Sequence, residues 1–215
     1  MINDKPFRLP LYVFMIPLIA LIVLPIVAAK GLGVKLAFFF TEVLIGLPCL
    51  LHTPRQMRPV VCPLGLKINT GSIRTIAYCL LLLPLIQLST FLIEWIVPFP
   101  EELRAQILDS ILAQGTVEKL ISYSTILVVA PVMEEVFFRG AVTWLWSRQF
   151  GRYLLLVGPA FVFAFAHMNP WMFPGLFILG LLLGHLRLRT DSLIPGIVVH
   201  AANNGLALFL LIWMQ

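Results

Sequence analysis

The sequence predicts an all-α fold: a polytopic transmembrane helical bundle of about seven spans, with one amphipathic helix at the membrane interface. Three observations predict it. Of 215 residues, 60% are hydrophobic and only 12% are charged, with a mean hydropathy of +0.98, whereas a soluble domain is about one-quarter charged. The apolar residues gather in successive segments close to the ~20 residues that a helix needs to cross a bilayer. The one sizeable polar stretch is Pro100 to Lys119.

The segments follow in order. The first runs from Leu11 to Ala29; it is too long for a signal-peptide core and shows no small-residue cleavage site, so it reads as a retained span. The second is Leu36–Leu51, the third Ile73–Val97 and the fourth Leu120–Trp146. The fifth (Tyr153–His167), sixth (Met172–Leu186) and seventh (Leu193–Trp213) are bounded by polar residues, and the fifth and sixth are short. In the stretch PEELRAQILDSILAQGTVEKL, Leu103, Ile107, Ile111 and Leu112 share one helical face, which suits an interfacial helix; an ordinary solvated connector is the alternative. The chain thus divides into N-terminal membrane helices (1–98), a connector (99–119) and a C-terminal membrane core (120–215).

The net charge of +5 falls in loops without interleaved aromatics, which points to membrane topology rather than a nucleic-acid surface. With the N-terminus inside, inner segments hold Lys5, Arg8, Arg55, Arg58, Lys67, Arg74, Arg148, Arg152, Arg187 and Arg189, and outer ones Lys30, Lys35, Arg104 and Lys119. That bias predicts a cytoplasmic N-terminus. Cys49, Cys62 and Cys79 lack metal-ligand spacing and read as packing residues. Trp144, Trp146, Trp171 and Trp213 read as interfacial belt anchors, and the single acids Glu42 and Glu94 and the histidines His52 and His185 as interfacial residues near span ends.

Within the fourth span lies STILVVAPVMEEVFFRGAVTWLW, with Glu134, Glu135 and Arg139 inside an apolar run. Each ionisable group at membrane depth costs roughly 2.5–3.5 kcal/mol on insertion scales, so such groups face a protein interior and mark function. Glu135 and Arg139 are spaced i, i+4 and can pair on one helical face. Glu134 points about 100° away and has no partner on its own helix. A desolvated carboxylate without a counter-ion suits general-base work on water; the bland alternative is a structural charge cluster that locks helix packing. Partners of the right chemistry lie on other spans. The fifth ends FVFAFAH, with Phe163 and His167 one turn apart, and the seventh contains PGIVVHAANN, with His200 and Asn204 one turn apart. Buried polar groups must satisfy each other, which predicts one polar cavity built from these residues, with Asn203 turned elsewhere. Straight spans would put His167 roughly 21 Å and His200 about 10 Å from the inner face at 1.5 Å per residue, so a tilted or shifted fifth span is needed to bring them together.

EEVFFR, FAFAH and HAANN, in that order and on separate spans, resemble the CPBP family: the type II CAAX prenyl endopeptidases and their bacterial relatives linked to bacteriocin processing and self-immunity, also called the ABI family. The pattern EExxxR, FxxxH and HxxxN/B falls on Glu134, Glu135 and Arg139, on Phe163 and His167, and on His200 and Asn204. The resemblance covers Ile121 to the C-terminus. It implies an intramembrane endopeptidase of glutamic type: Glu134 activates water, His167 orients it or shares its proton, and His200 and Asn204 donate to the developing oxyanion, with Glu135 and Arg139 in support. Phe163 has a packing role. No cofactor is favoured; zinc held by Glu134, His167 and His200 stays open as the alternative, since two histidines and a glutamate are a known zinc set. The implied partners are a membrane-anchored peptide or protein substrate and the lipid bilayer, with no nucleic acid. The compact, short-looped chain reads as a multi-pass protein of a prokaryotic inner membrane. A non-catalytic scaffold or bacteriocin self-immunity protein of the same fold is the competing class, and a proton-coupled transporter a third.

Overall fold

A computed structural model of the chain describes residues 11–27, 32–51, 70–111, 115–147 and 149–213. All regular structure among them is helical. The helices are α1 (Tyr12–Val27), α2 (Leu32–Leu51), α3 (Thr70–Ile96), α4 (Glu101–Ile111), α5 (Thr116–Ser147), α6 (Arg152–Ala166), α7 (Phe173–Thr190) and α8 (Ile194–Trp213). Cys62, His52 and the loop cations Lys5, Arg8, Lys30, Arg55, Arg58, Lys67 and Arg148 lie outside the described residues.

Three of the described helices are long and apolar enough to cross a membrane: α5, α8 and residues Ser72–Ile96 of α3. The other four predicted segments are helices too, but shorter or less apolar; α6 has 15 residues. Hydropathy placed most ends within a few residues. It missed four residues at the end of α7, where Arg187 and Arg189 hid the last turn until Asp191 stops it in a left-handed conformation (φ 51°). It also placed the start of α5 late. Thr116 opens that helix after Gly115, whose N–H donates to Glu118 Oε2 at 2.9 Å, so the polar stretch contains the short helix α4 and the first turn of α5. On α4, Arg104 bridges back to Glu94 at 2.7 Å and lies over the Phe99 ring. Glu94 is thus the partner of an interhelical ion pair.

The core is a cluster from five helices: Leu83 and Ile86 of α3, Phe138 of α5, Phe163 of α6, Leu179, Leu183 and Leu186 of α7, and Val199 of α8. Small residues permit close helix crossings. A Cβ on Gly180 would stand 3.0 Å from the Ala160 backbone, and one on Gly158 would enter the Trp146 ring. Trp144 is buried in a second apolar cluster with Val13, Cys49 and Leu193, a correction to its reading as a belt anchor. Its place on the inward face of α5 outweighs the preference of indole for the interface. Trp213 is 77% exposed, as a belt residue would be.

The α2–α5 crossing brings backbone against backbone. A Cβ on Gly46 would fall 2.8 Å from Met133 Cα and 2.7 Å from its sulfur. A backbone atom cannot swing away, so Gly46→Val is expected to cost about 1–3 kcal/mol, the range for overpacking. Gly205→Ala, whose added carbon would meet Leu127 at an ordinary 3.7 Å, serves as the control. Thermal unfolding in detergent should show a lowered midpoint for Gly46→Val alone; equal midpoints would contradict the crossing.

Candidate active site

Helix α5 carries the site, and its winding follows from its sequence. Two stretches, Thr125–Val129 and Glu135–Val142, are π-helical. The Ala130 N–H reaches Thr125 O, and the Thr143 N–H reaches Phe138 O, both five residues back. Such π turns are rare and concentrate at functional sites. In the first stretch the carbonyl of Ile126 would take its bond from residue 131, but Pro131 has no N–H to give. Asn204 Nδ2 supplies the donor from α8 at 3.0 Å. In the second stretch Phe138 O also accepts the Thr143 hydroxyl at 2.9 Å, and Arg139 O faces Arg187 Nε of α7 at 3.4 Å.

Glu135 and Arg139 are each 1% exposed and form an ion pair, Oε1 to Nη1, at 2.8 Å. Isolated charges could not stay in this interior, and further groups complete the neutralisation. Arg139 Nη2 donates to Gly180 O at 3.2 Å, and the guanidinium lies 4.4 Å from the Phe163 ring centroid, within cation–π range. Glu135 Oε1 also accepts His200 Nδ1 at 3.3 Å. Gly196, one turn before His200, is needed for this approach, since a Cβ there would stand 2.7 Å from Glu135 Oε2. The other ring nitrogen of His200 lies 3.7 Å from Glu134 Oε2. One buried imidazole therefore spans both glutamates. The Oε2 atoms of Glu134 and Glu135 are buried with no donor among the described residues.

His167 caps the end of α6, with Nδ1 2.8 Å from Phe163 O, and its ring is exposed. Phe163 contacts both imidazoles, with centroids 4.9 Å from His167 and 5.6 Å from His200. The two histidines thus flank one aromatic ring. Phe163 is also the edge-to-face neighbour of Phe138, so it packs against most of the constellation. Glu134, Glu135, Arg139 and His200 are brought together; His167 stands one ring away, and Asn204 is engaged with the α5 backbone. Among the described residues no three His, Cys, Asp or Glu side chains converge as a metal set.

Sequence reasoning missed two residues. Gln87 of α3 donates to Asn203 Oδ1 at 2.9 Å, and Asn203 is buried, so Asn203 is a structural link between α3 and α8. Glu42 of α2 is 7% exposed, and its carboxyl is in side-chain hydrogen-bond contact with Glu134. It is not the interfacial acid that was expected. The signal was present: Glu42 sits six residues inside an apolar segment, where the desolvation cost applied to Glu134 applies equally.

A buried glutamate pair thus shares one imidazole within a core of apolar helices. Residues 116–206 match the family model described as type II CAAX prenyl endopeptidase Rce1-like. The match spans α5 to α8 and contains Glu134, Glu135, Arg139, His167, His200 and Asn204. No curated protein and no solved structure matches the chain.

The Asn204 bond to Ile126 O can be tested apart from any activity. Asn204→Leu leaves a buried carbonyl unpaired and should cost about 1–3 kcal/mol. Pro131→Ala restores a backbone donor for the same carbonyl, so in that background the loss should shrink to below about 1 kcal/mol. A double-mutant cycle of unfolding free energies in mixed micelles measures this; strictly additive losses would refute the pairing.

Proposed function

We propose that the chain is an intramembrane endopeptidase of glutamic type. It hydrolyses a peptide bond near the membrane-associated end of an anchored peptide or protein. The observation that carries this reading is the unequal pairing of two adjacent glutamates: Glu135 Oε1 takes Arg139 Nη1 at 2.8 Å and His200 Nδ1 at 3.3 Å, while Glu134 Oε2 has His200 Nε2 no closer than 3.7 Å. A basic oxygen held in a dry site beside an imidazole suits activation of water.

In the proposed reaction Glu134 takes a proton from the attacking water as its oxygen bonds to the scissile carbonyl carbon. The tetrahedral intermediate then collapses, and that proton passes from Glu134 to the leaving nitrogen as the C–N bond breaks. His200 is anchored on Glu135 through Nδ1 and presents Nε2 to the reacting atoms; in its doubly protonated form it donates to the oxyanion, the largest electrostatic gain in acyl transfer. The second N–H of the Asn204 amide is available for the same oxyanion. His167, with Nδ1 at Phe163 O, keeps Nε2 free to orient water or substrate. Glu135 and Arg139 hold the imidazole, and no step calls for a metal. The remaining apolar helices complete about seven spans of a multi-pass protein with a cytoplasmic N-terminus, in a prokaryotic inner membrane.

The test compares membrane and secreted proteomes of a gene-deletion strain complemented with wild type, Glu134→Ala, Glu134→Gln or His167→Ala. One protein terminus should remain uncleaved in the deletion strain and be restored by wild type only. Loss of the general base is expected to reduce processing by about 10²–10⁴-fold at unchanged protein abundance. Full processing by both Glu134→Ala and His167→Ala would sink the assignment, and function surviving Glu134→Gln would indicate a non-catalytic scaffold or immunity protein.

A further inference from the structure

Helix α2 contributes a buried face of Lys35, Glu42, Ile45, Gly46 and Cys49. Gly46, one turn after Glu42, lies on the Met133 backbone, immediately before Glu134. This crossing fixes the distance between the two helices where their carboxyls meet. The Glu42 and Glu134 side chains are in hydrogen-bond contact, yet Oε2 of each is buried with no donor among the described residues. Two carboxylates in contact in a dry interior cannot both be charged, and one proton between them removes the repulsion.

We infer that Glu42 is a third carboxyl of the site, a positioning residue that holds a proton and donates it as a hydrogen bond to Glu134. The inference rests on the protease reading for its role, though the contact itself does not. The bond fixes the Glu134 rotamer and leaves its other oxygen to face His200. Without it, Glu134 would have only the imidazole at 3.7 Å to orient it, a distance beyond a direct hydrogen bond. Among the described residues, the other titratable groups on the helices packed here are Tyr12 on α1, Lys35 and Cys49 on α2, Glu118, Lys119, Tyr123, Glu135 and Arg139 on α5, and His200 on α8. Of these, Glu135 and Arg139 are committed to each other. Glu118 and Lys119 lie in the first turn of α5, more than ten residues before Glu134. Lys35 is two helical turns from Glu42, about 10 Å along the axis.

The test uses the full chain in lipid nanodiscs. Infrared spectroscopy with hydrogen–deuterium exchange should show the carbonyl band of a buried protonated carboxylic acid in wild type at neutral pH, and its loss in Glu42→Gln. The amide of Glu42→Gln still donates to Glu134, so processing of the terminus found by proteomics should stay within about threefold of wild type. Glu42→Leu fills the same space without a donor and should lower processing by about 10–100-fold, as loss of an orienting partner does, with its thermal midpoint confirming a folded protein. A band unchanged in Glu42→Gln, or wild-type processing by Glu42→Leu, overturns the inference. Wild-type processing by Glu134→Gln would overturn the protease reading instead, while the band would still report the shared proton.

Discussion

The buried pair of Glu135 and Arg139 governs the C-terminal core. Both groups are withdrawn almost completely from solvent, and withdrawing charge from water costs several kcal/mol per ion unless geometry and further hydrogen bonds compensate. The compensation is assembled from four helices: the pair itself on α5, the Phe163 ring of α6, the Gly180 carbonyl of α7 and the His200 imidazole of α8. None of these works without close packing. Gly180 stands against Ala160, and Gly196 against Glu135, with no room for a side chain. The charges therefore dictate where the helices may sit, and the glycines are the steric condition for meeting that demand.

The π winding of α5 belongs to the same economy of partners. Widening a helix loosens its backbone bonds, and inside an apolar core each freed carbonyl needs a donor from elsewhere. Ile126 O receives Asn204 from α8, Phe138 O receives the Thr143 hydroxyl, and Arg139 O faces Arg187 from α7. Polar side chains on α7 and α8 that look isolated in sequence are thus the partners of a distorted neighbour. Arg187 further ties to Asp191 at the end of α7, so one of the two arginines that blur the end of that span also braces α5.

Hydropathy made the helices legible because apolar length is a strong local signal; their ends were blurred where Thr116 and Arg187 put polar residues inside a helix. The Glu135–Arg139 pair was legible from i, i+4 spacing and survived the change from α to π winding, because long side chains absorb the altered rotation. The winding itself was not legible: its visible cause, a proline at 131, is tolerated in many straight membrane helices. Glu42 was hidden by habit rather than by physics. A single acid in a span without a neighbouring motif drew the interfacial reading, though its depth carried the same cost as Glu134. That one Phe163 ring contacts both His167 and His200 depended on how the helices cross, which no one-dimensional pattern encodes.

Uneven compensation is what separates the roles of the two adjacent glutamates. A cluster serving only to lock helices would be expected to satisfy both carboxylates alike, since every unpaired buried acceptor costs free energy comparable to a lost hydrogen bond. Here the pairing converges on Glu135, which has a guanidinium and an imidazole, while Glu134 one residue away has an imidazole beyond bonding distance and a second acid. Packing energy alone gives no reason to place a second carboxyl against Glu134 when an apolar residue of similar size would be cheaper to bury. The arrangement makes sense where a carboxyl must stay basic, oriented and only partly satisfied until a reactant supplies the missing donor. On the proposed reading the Glu135–Arg139 pair fixes the imidazole and the helix, and Glu134 is the carboxyl left to react.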